Sequence, residues 1–313
     1  MQSNFIVCLH AVLPLMILLA IGAVVRRTGL LTDEEVSRMN HMVFIVFFPA
    51  LMFDNLYSAD IGEVFDAKLL VYGICVTLAT CLLSIPVVFK VEKDSKSRGA
   101  MIQAIYRSNF ILMGLPISIN LLGAGNVGYT AMLMVVVVPL YNVMAVIILE
   151  YFRGGKADLK DVLKKIATNP IILGAVTAVI VMLCHIPVPE VIGKLVGDMS
   201  HATTPIALIL LGASFDYHTA QRDIRDLVVI ITGRLVAAPA LALGVAVLLG
   251  LTGPKLVALV SMTCAPPAVS SYTMASAMDS NGELAGNAVI FATPISCVTI
   301  FLWLFLLKSL GLI

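Results

Sequence analysis

The sequence predicts an all-α integral membrane protein of ten transmembrane helices with almost no soluble domain. Three observations lead there. Sixty per cent of the 313 residues are apolar and only 12% are charged, whereas a soluble domain carries about 25% charged residues. A water-soluble fold of this size could not hide so much apolar surface. Ten stretches supply roughly the 20 apolar residues that a bilayer crossing needs at about 1.5 Å per residue. Lysine and arginine then alternate between the connecting loops as expected when positive loops stay inside.

Spans are predicted near Phe5–Val25, Val36–Asn55, Leu69–Phe89, Ala100–Leu122 and Val127–Glu150, then Asn169–His185, Val191–Ala213, Asp226–Gly250, Lys255–Met278 and Gly286–Lys308. The leading Met1-Gln2-Ser3-Asn4 lacks the positive charge of a secretory leader, so the first stretch reads as a retained helix. Thr32 with Glu35 three residues on predicts a capping box that opens the second helix. With both termini outside, the cytoplasmic side holds fourteen basic residues, from Arg26 and Arg27 to Arg222 and Arg225. The outer side holds four, Lys68, Lys194, Lys255 and Lys308. Missing one helix would scramble this alternation. The expected location is the plasma (inner) membrane.

The longest polar stretch, residues 151–168, reads as a cytoplasmic linker between two five-helix halves, 1–150 and 169–313. Prolines pair between the halves as Pro14/Pro170, Pro49/Pro205, Pro86/Pro239, Pro116/Pro267 and Pro139/Pro294, with offsets between 151 and 156 residues. Five is an odd number, so the second half would enter the membrane inverted, as in many secondary transporters. Chance matches among prolines, which are common in membrane helices, are the alternative.

Helices four and nine carry the densest chemistry. Helix four holds Arg107, Ser108, Asn109, Gly114 and Pro116; helix nine holds Pro266, Pro267, Ser270 and Ser271. Proline removes a backbone donor and clashes with the preceding turn, so both helices are expected to break there. The freed groups must face protein or a wet cavity, and the half-helix N-termini would favour a carboxylate. Two simple kinks would be the plainer outcome. Asn109 and Asn142 are expected to point inward, either into a polar pocket with Thr293 or as interhelical glue. Arg107 and Arg234 lie about 12 Å in from the cytoplasmic ends, so each either snorkels to the interface or attracts an anion.

Other classes have little to stand on. Net charge is +1, which gives no reason to expect a nucleic-acid partner. The six cysteines form no CxxC pair and the histidines no HExxH motif, so no metal or cofactor is expected. Asp54, Asp198, Asp216 and Asp279 fall near predicted helix ends, so a buried carboxylate for proton or sodium coupling is not evident and the coupling ion stays open. A channel would call for a filter such as a TVGYG-like loop. An intramembrane enzyme would need a nucleophile–base pair, and a sensor an appended domain beyond Ile313.

Several segments resemble the auxin efflux carrier family of transporters. They are Gly29-Leu-Leu-Thr-Asp-Glu-Glu with Asn40 and Phe48-Pro49-Ala50-Leu51, then Arg107-Ser108-Asn109-Phe110 with Met113-Gly114-Leu115-Pro116, and Pro139-Leu140-Tyr141-Asn142. The short central loop looks like the prokaryotic branch described as malate or malonate permeases. The resemblance implies two inverted repeats with crossed, broken helices four and nine, an architecture shared with bile-acid sodium symporters and sodium/proton antiporters. It further implies a scaffold of helices one, two, six and seven that often dimerises, and a moving domain of helices three to five and eight to ten. By position, Asn109, Pro116, Asn142 and Pro267 would surround the carboxylate of a small organic anion. The acidic coupling residues of the antiporters are missing at the crossover. The resulting expectation is an elevator-type carrier of mono- or dicarboxylates, with an anion channel or carboxylate sensor as alternatives.

Overall fold

The computed structural model describes residues 2–57, 65–123, 126–153, 164, 167–184, 186–215 and 217–313. Most of the central linker, including Lys156, Lys160 and Lys165, lies outside the described residues, as do Asp216 and His185. Among the described residues every regular element is helical. In chain order these are α1 (Gln2–Arg27), α2 (Asp33–Met42), α3 (Phe48–Tyr57), α4 (Ala67–Val91), α5 (Ser95–Tyr106), α6 (Leu115–Leu122), α7 (Gly128–Phe152) and α8 (Pro170–Leu183). There follow α9 (Glu190–Ala213), α10 (Tyr217–Arg222), α11 (Ile224–Thr232), α12 (Ala238–Leu248), α13 (Pro254–Thr263), α14 (Ser270–Ala277) and α15 (Gly282–Ser309).

Six helical runs are long and apolar enough to cross a membrane: 33–57, 67–91, 128–152, 190–213, 224–248 and 282–309. The chain is therefore an integral, multi-pass membrane protein. Shorter apolar helices stand at 110–122, 170–182 and 254–263. Polar caps set the starts. Thr32 and Glu35 form the expected capping box, with Glu35 Oε2 accepting from Thr32 N–H at 2.8 Å and Thr32 Oγ1 accepting from Glu35 N–H at 3.3 Å. Asp66, Asp94, Asn169 and Asn281 cap α4, α5, α8 and α15 in the same manner.

Prolines inside the helical runs behave in two ways. Pro14, Pro86, Pro139, Pro205 and Pro294 sit inside continuous α-helices. Pro49, Pro116 and Pro239 each follow a five-residue π turn, at Val43–Phe47, Phe110–Gly114 and Gly233–Ala237. In all three the residue just before the proline donates to the carbonyl five residues back: Phe48 to Val43, Leu115 to Phe110, Ala238 to Gly233. A wider turn makes room for the ring and re-routes the bonds it disrupts, so the chain stays helical. This corrects the expectation that helix four breaks at Pro116.

Packing follows membrane rules, where close backbone approach replaces the hydrophobic drive. A Cβ on Gly22 would collide with the Ile209 carbonyl, and one on Gly212 with the Leu19 carbonyl. The reciprocal glycines thus seat α1 directly on α9. The α3–α8 and α3–α9 pairings complete a tight group of α1, α3, α8 and α9. Elsewhere hydroxyls tie helices together: Ser118 Oγ lies 2.7 Å from both Thr130 Oγ1 and Ser261 Oγ, joining α6, α7 and α13.

Candidate functional site

The two informative stretches are both interrupted. One runs α5, a break at Arg107–Asn109, the π turn and α6. The other runs α13, a break at Cys264–Val269 and α14. The breaks meet: Ser108 and Pro267 form an isolated antiparallel bridge. Asn109 N–H donates to Pro266 C=O at 2.8 Å, and Ala268 N–H to Arg107 C=O at 3.4 Å. Unwound backbone inside a membrane must find partners, and here each break partly satisfies the other.

The C-terminal ends of the leading half-helices leave carbonyls without helical partners. Arg234, from the π turn between α11 and α12, takes them. Its Nε donates to Ala265 C=O, Nη1 to Ile105 and Tyr106, and Nη2 to Met262 and Thr263, at 2.7–3.3 Å. That is one bond for each of the five N–H groups a guanidinium owns. The side chain is 2% exposed. Its positive charge lies against the negative ends of two helix dipoles.

Arg107 is held differently. It sits in the break itself, is 4% exposed, and donates to Asn142 Oδ1 at 2.5 Å and Met274 Sδ at 2.8 Å. Asn142 is in turn fixed by its own amide, which donates to Val138 C=O at 3.0 Å and to Met52 Sδ at 2.9 Å. No ion pair joins either arginine to a carboxylate among the described residues. Neither guanidinium snorkels to the interface, which corrects one of the two expectations for both. Depth alone suggested that route; the folded chain supplies interior acceptors instead.

Arg107 lines a cavity of about 70 Å³, room for about five waters at roughly 10–15 Å³ each. Its floor is the first turn of each trailing half-helix, Asn109–Leu112 and Ala268–Ser270, beside Tyr141 and Asn142. Further lining comes from α3 and α9, with Phe48, Leu51, Met52, Asn55, Thr204 and Ala207. Asn109 is 6% exposed, and its side chain has no hydrogen bond among the described residues. Two half-helix N-termini and a guanidinium thus converge on one small, mostly apolar space.

Of the residues singled out from sequence, Asn109, Asn142, Ser270 and Arg107 line this cavity. Gly114, Pro116, Pro266, Pro267, Ser271, Thr293 and Arg234 stand outside the lining. Gly114 serves close packing, since a Cβ there would collide with the Ser261 carbonyl. Thr293 Oγ1 donates to its own helix at Val289 C=O. Sequence reasoning missed Asn55 and Thr204, whose part of the lining has no local signature. A buried-side amide near the end of an apolar helix was the only available hint for Asn55.

These features define a polytopic membrane protein with an arginine-lined cavity at the junction of two interrupted helices. The family profile described as membrane transport protein, that of the auxin efflux carriers, matches residues 7–160 and 155–304. The chain belongs to that family. It is also similar to an uncharacterized transporter of Methanothermobacter thermautotrophicus, 23% identical over 296 residues, covering 94% of this chain and 96% of the relative.

Proposed function

We propose that the protein is a secondary transporter that carries small organic anions by elevator-type alternating access. Membership of a transport family supports the carrier part of the reading. The anion part rests on one observation: among the described residues, Arg107 is buried in the cavity wall with an amide and a thioether as its hydrogen-bond partners. A guanidinium costs about 2.5–3.5 kcal/mol at mid-membrane on insertion scales. A carboxylate bound against it would supply the missing counter-charge, and the N-terminal turns at Phe110 and Val269 would add their dipoles.

In this reading the six uninterrupted runs, α1, α8 and the two interrupted pairs make up ten crossings in two inverted five-helix repeats. The tight α1, α3, α8 and α9 group is the scaffold, and the remaining helices move the cavity across the membrane. The cavity lies between these two groups, where such movement would change the side to which it opens. The face carrying Arg26, Lys96, Arg153 and Arg225 is cytoplasmic, by the asymmetry of basic loops.

The test is flux of labelled short mono- and dicarboxylates into proteoliposomes. Saturable uptake, rather than conductance far above carrier turnover, separates a carrier from an anion channel. Arg107→Gln is expected to lose at least about 30-fold in apparent affinity, as removal of one partner from a buried charge-assisted contact costs 2–5 kcal/mol. Asn109→Ala should cut flux with the fold intact. Wild-type flux in Arg107→Gln, or thermal stabilisation only by cations and neutral solutes, would overturn the anion reading.

A further inference from the structure

A second set of polar side chains is buried on the basic-face side of Arg107. Asn40 of α2 is 2% exposed, Gln103 of α5, Ser271 and Thr273 of α14 are each 0%, and Asn287 of α15 is 3%. Each leaves one polar atom with no hydrogen-bond partner: Asn40 Oδ1, Gln103 Oε1, Ser271 Oγ, Thr273 Oγ1 and Asn287 Nδ2. Buried polar groups in native proteins are nearly always satisfied, by protein or by ordered water. Side chains that only glue helices would have paired with each other or with backbone.

Contacts connect some of these groups to one another and to the cavity-lining Arg107. Asn40 Nδ2 donates to Thr273 C=O at 3.4 Å, a long bond that ties α2 to α14. Gln103 Nε2 and Arg107 Nη1 both reach Met274 Sδ, at 3.9 and 2.8 Å. Gln103 precedes Arg107 by one helical turn, about 6 Å toward the basic face. Asn287 comes from α15, which packs on both α5 and α14. Gln103 and Met274 thus continue from Arg107 toward the end of α14, beyond which Asp279 pairs with Lys96 and Arg153.

We infer that these residues line a second, hydrated polar site through which the transported anion passes between the central cavity and the basic face. The inference rests on the transport reading above. Amides and hydroxyls without a fixed charge suit water and the oxygens of an organic anion. No group of three or more His, Cys, Asp or Glu that could hold a metal occurs among the described residues. Lacking an arginine of its own, the path holds an anion more weakly than the Arg107 cavity, so it releases rather than stores. The Asn40–Thr273 bond is the seal that opens.

Two measurements test this separately. The first uses the unaltered protein in detergent and needs no substrate: hydroxyl-radical footprinting read by mass spectrometry. Met274 and Met101 are both 0% exposed, but only Met274 borders the path. Met274 is expected to oxidise at least ten-fold faster than Met101; equal protection of the two would overturn the hydrated site. The second joins Asn40→Cys and Thr273→Cys with a short bifunctional thiol reagent in a background whose native cysteines are replaced. Flux is expected to fall at least ten-fold on cross-linking and to return on reduction, each measured against the same double variant before the reagent is added. Undiminished flux after complete cross-linking removes the path, whereas loss of the Arg107 dependence instead removes the anion reading beneath it.

Discussion

Two arginines lie buried where the interrupted helices meet, and the chain treats them in opposite ways. Arg234 gives all five of its N–H groups to backbone carbonyls at the ends of α5 and α13. Arg107 has one amide oxygen and one sulfur, and it faces a cavity. The same side chain is thus a structural staple in one place and part of a cavity lining in the other. What separates them is the supply of acceptors. A helix end brings several free carbonyls, whereas an unwound bridge spends its carbonyls on the opposite strand.

The widest gap between them should appear in folding. Arg234→Met would orphan carbonyls of Ile105, Tyr106, Met262, Thr263 and Ala265 in a dry interior. A loss of at least about 3 kcal/mol is expected, read as a lower Tm and reduced monodisperse yield in detergent. Arg234→Lys keeps three donors and should recover only part of it. Arg107→Gln should fold normally and lose anion affinity, so the two variants fail in different assays. If Arg234→Met folded like the parent, the staple would be refuted.

A smaller effect is expected one contact further out. Asn142→Leu removes the acceptor that aims Arg107 but leaves its charge in place. Its KM for the carried anion should rise about ten-fold, in line with roughly 1–1.5 kcal/mol for one hydrogen bond, with Tm little changed. An unaltered KM would mean that Arg107 finds its geometry without Asn142.

The smallest effect lies away from both arginines, at the partly exposed ion pair between Asp66 and Lys255, 2.5 Å apart. The hydrogen bond from Lys255, and then the Leu69 N–H, hold the Asp66 carboxyl below its usual value. A lowered folded pKa means that its contribution is present above the unfolded carboxylate value near 4 and fades as pH falls through the folded one. Asp66→Asn should therefore lie within about 1 kcal/mol of the parent at neutral pH. Its deficit should shrink further below pH ~4, in a Tm series against pH. A pH-independent deficit would assign the whole effect to the α4 cap rather than to charge.

Much of this was legible in the residues, for reasons that differ by element. Thr32 and Glu35 announced a helix start because a capping box is purely local. The Pro266-Pro267 pair marked a true break, since two consecutive missing donors cannot be re-routed within one turn. Pro116 misled because one missing donor can be: the π turn at Phe110–Gly114 absorbs it, and the chain unwinds earlier, at Arg107–Asn109. Among the site residues, Asn109 and Asn142 stood out as amides in an apolar run. Asn55, near a helix end, carried that mark only weakly and Thr204 not at all, because their place in the cavity lining depends on how α3 and α9 pack.

By itself, then, the sequence determined that the chain lives in lipid, that it belongs to a transport family, and where helices begin. Those properties follow from composition, short-range hydrogen bonding and motifs that need no partner. Only the tertiary structure decided which buried arginine is bonded throughout to backbone carbonyls and which faces a cavity. That choice depends on carbonyls and an amide brought from residues 28 to 129 positions away, and no local pattern encodes which of them meet.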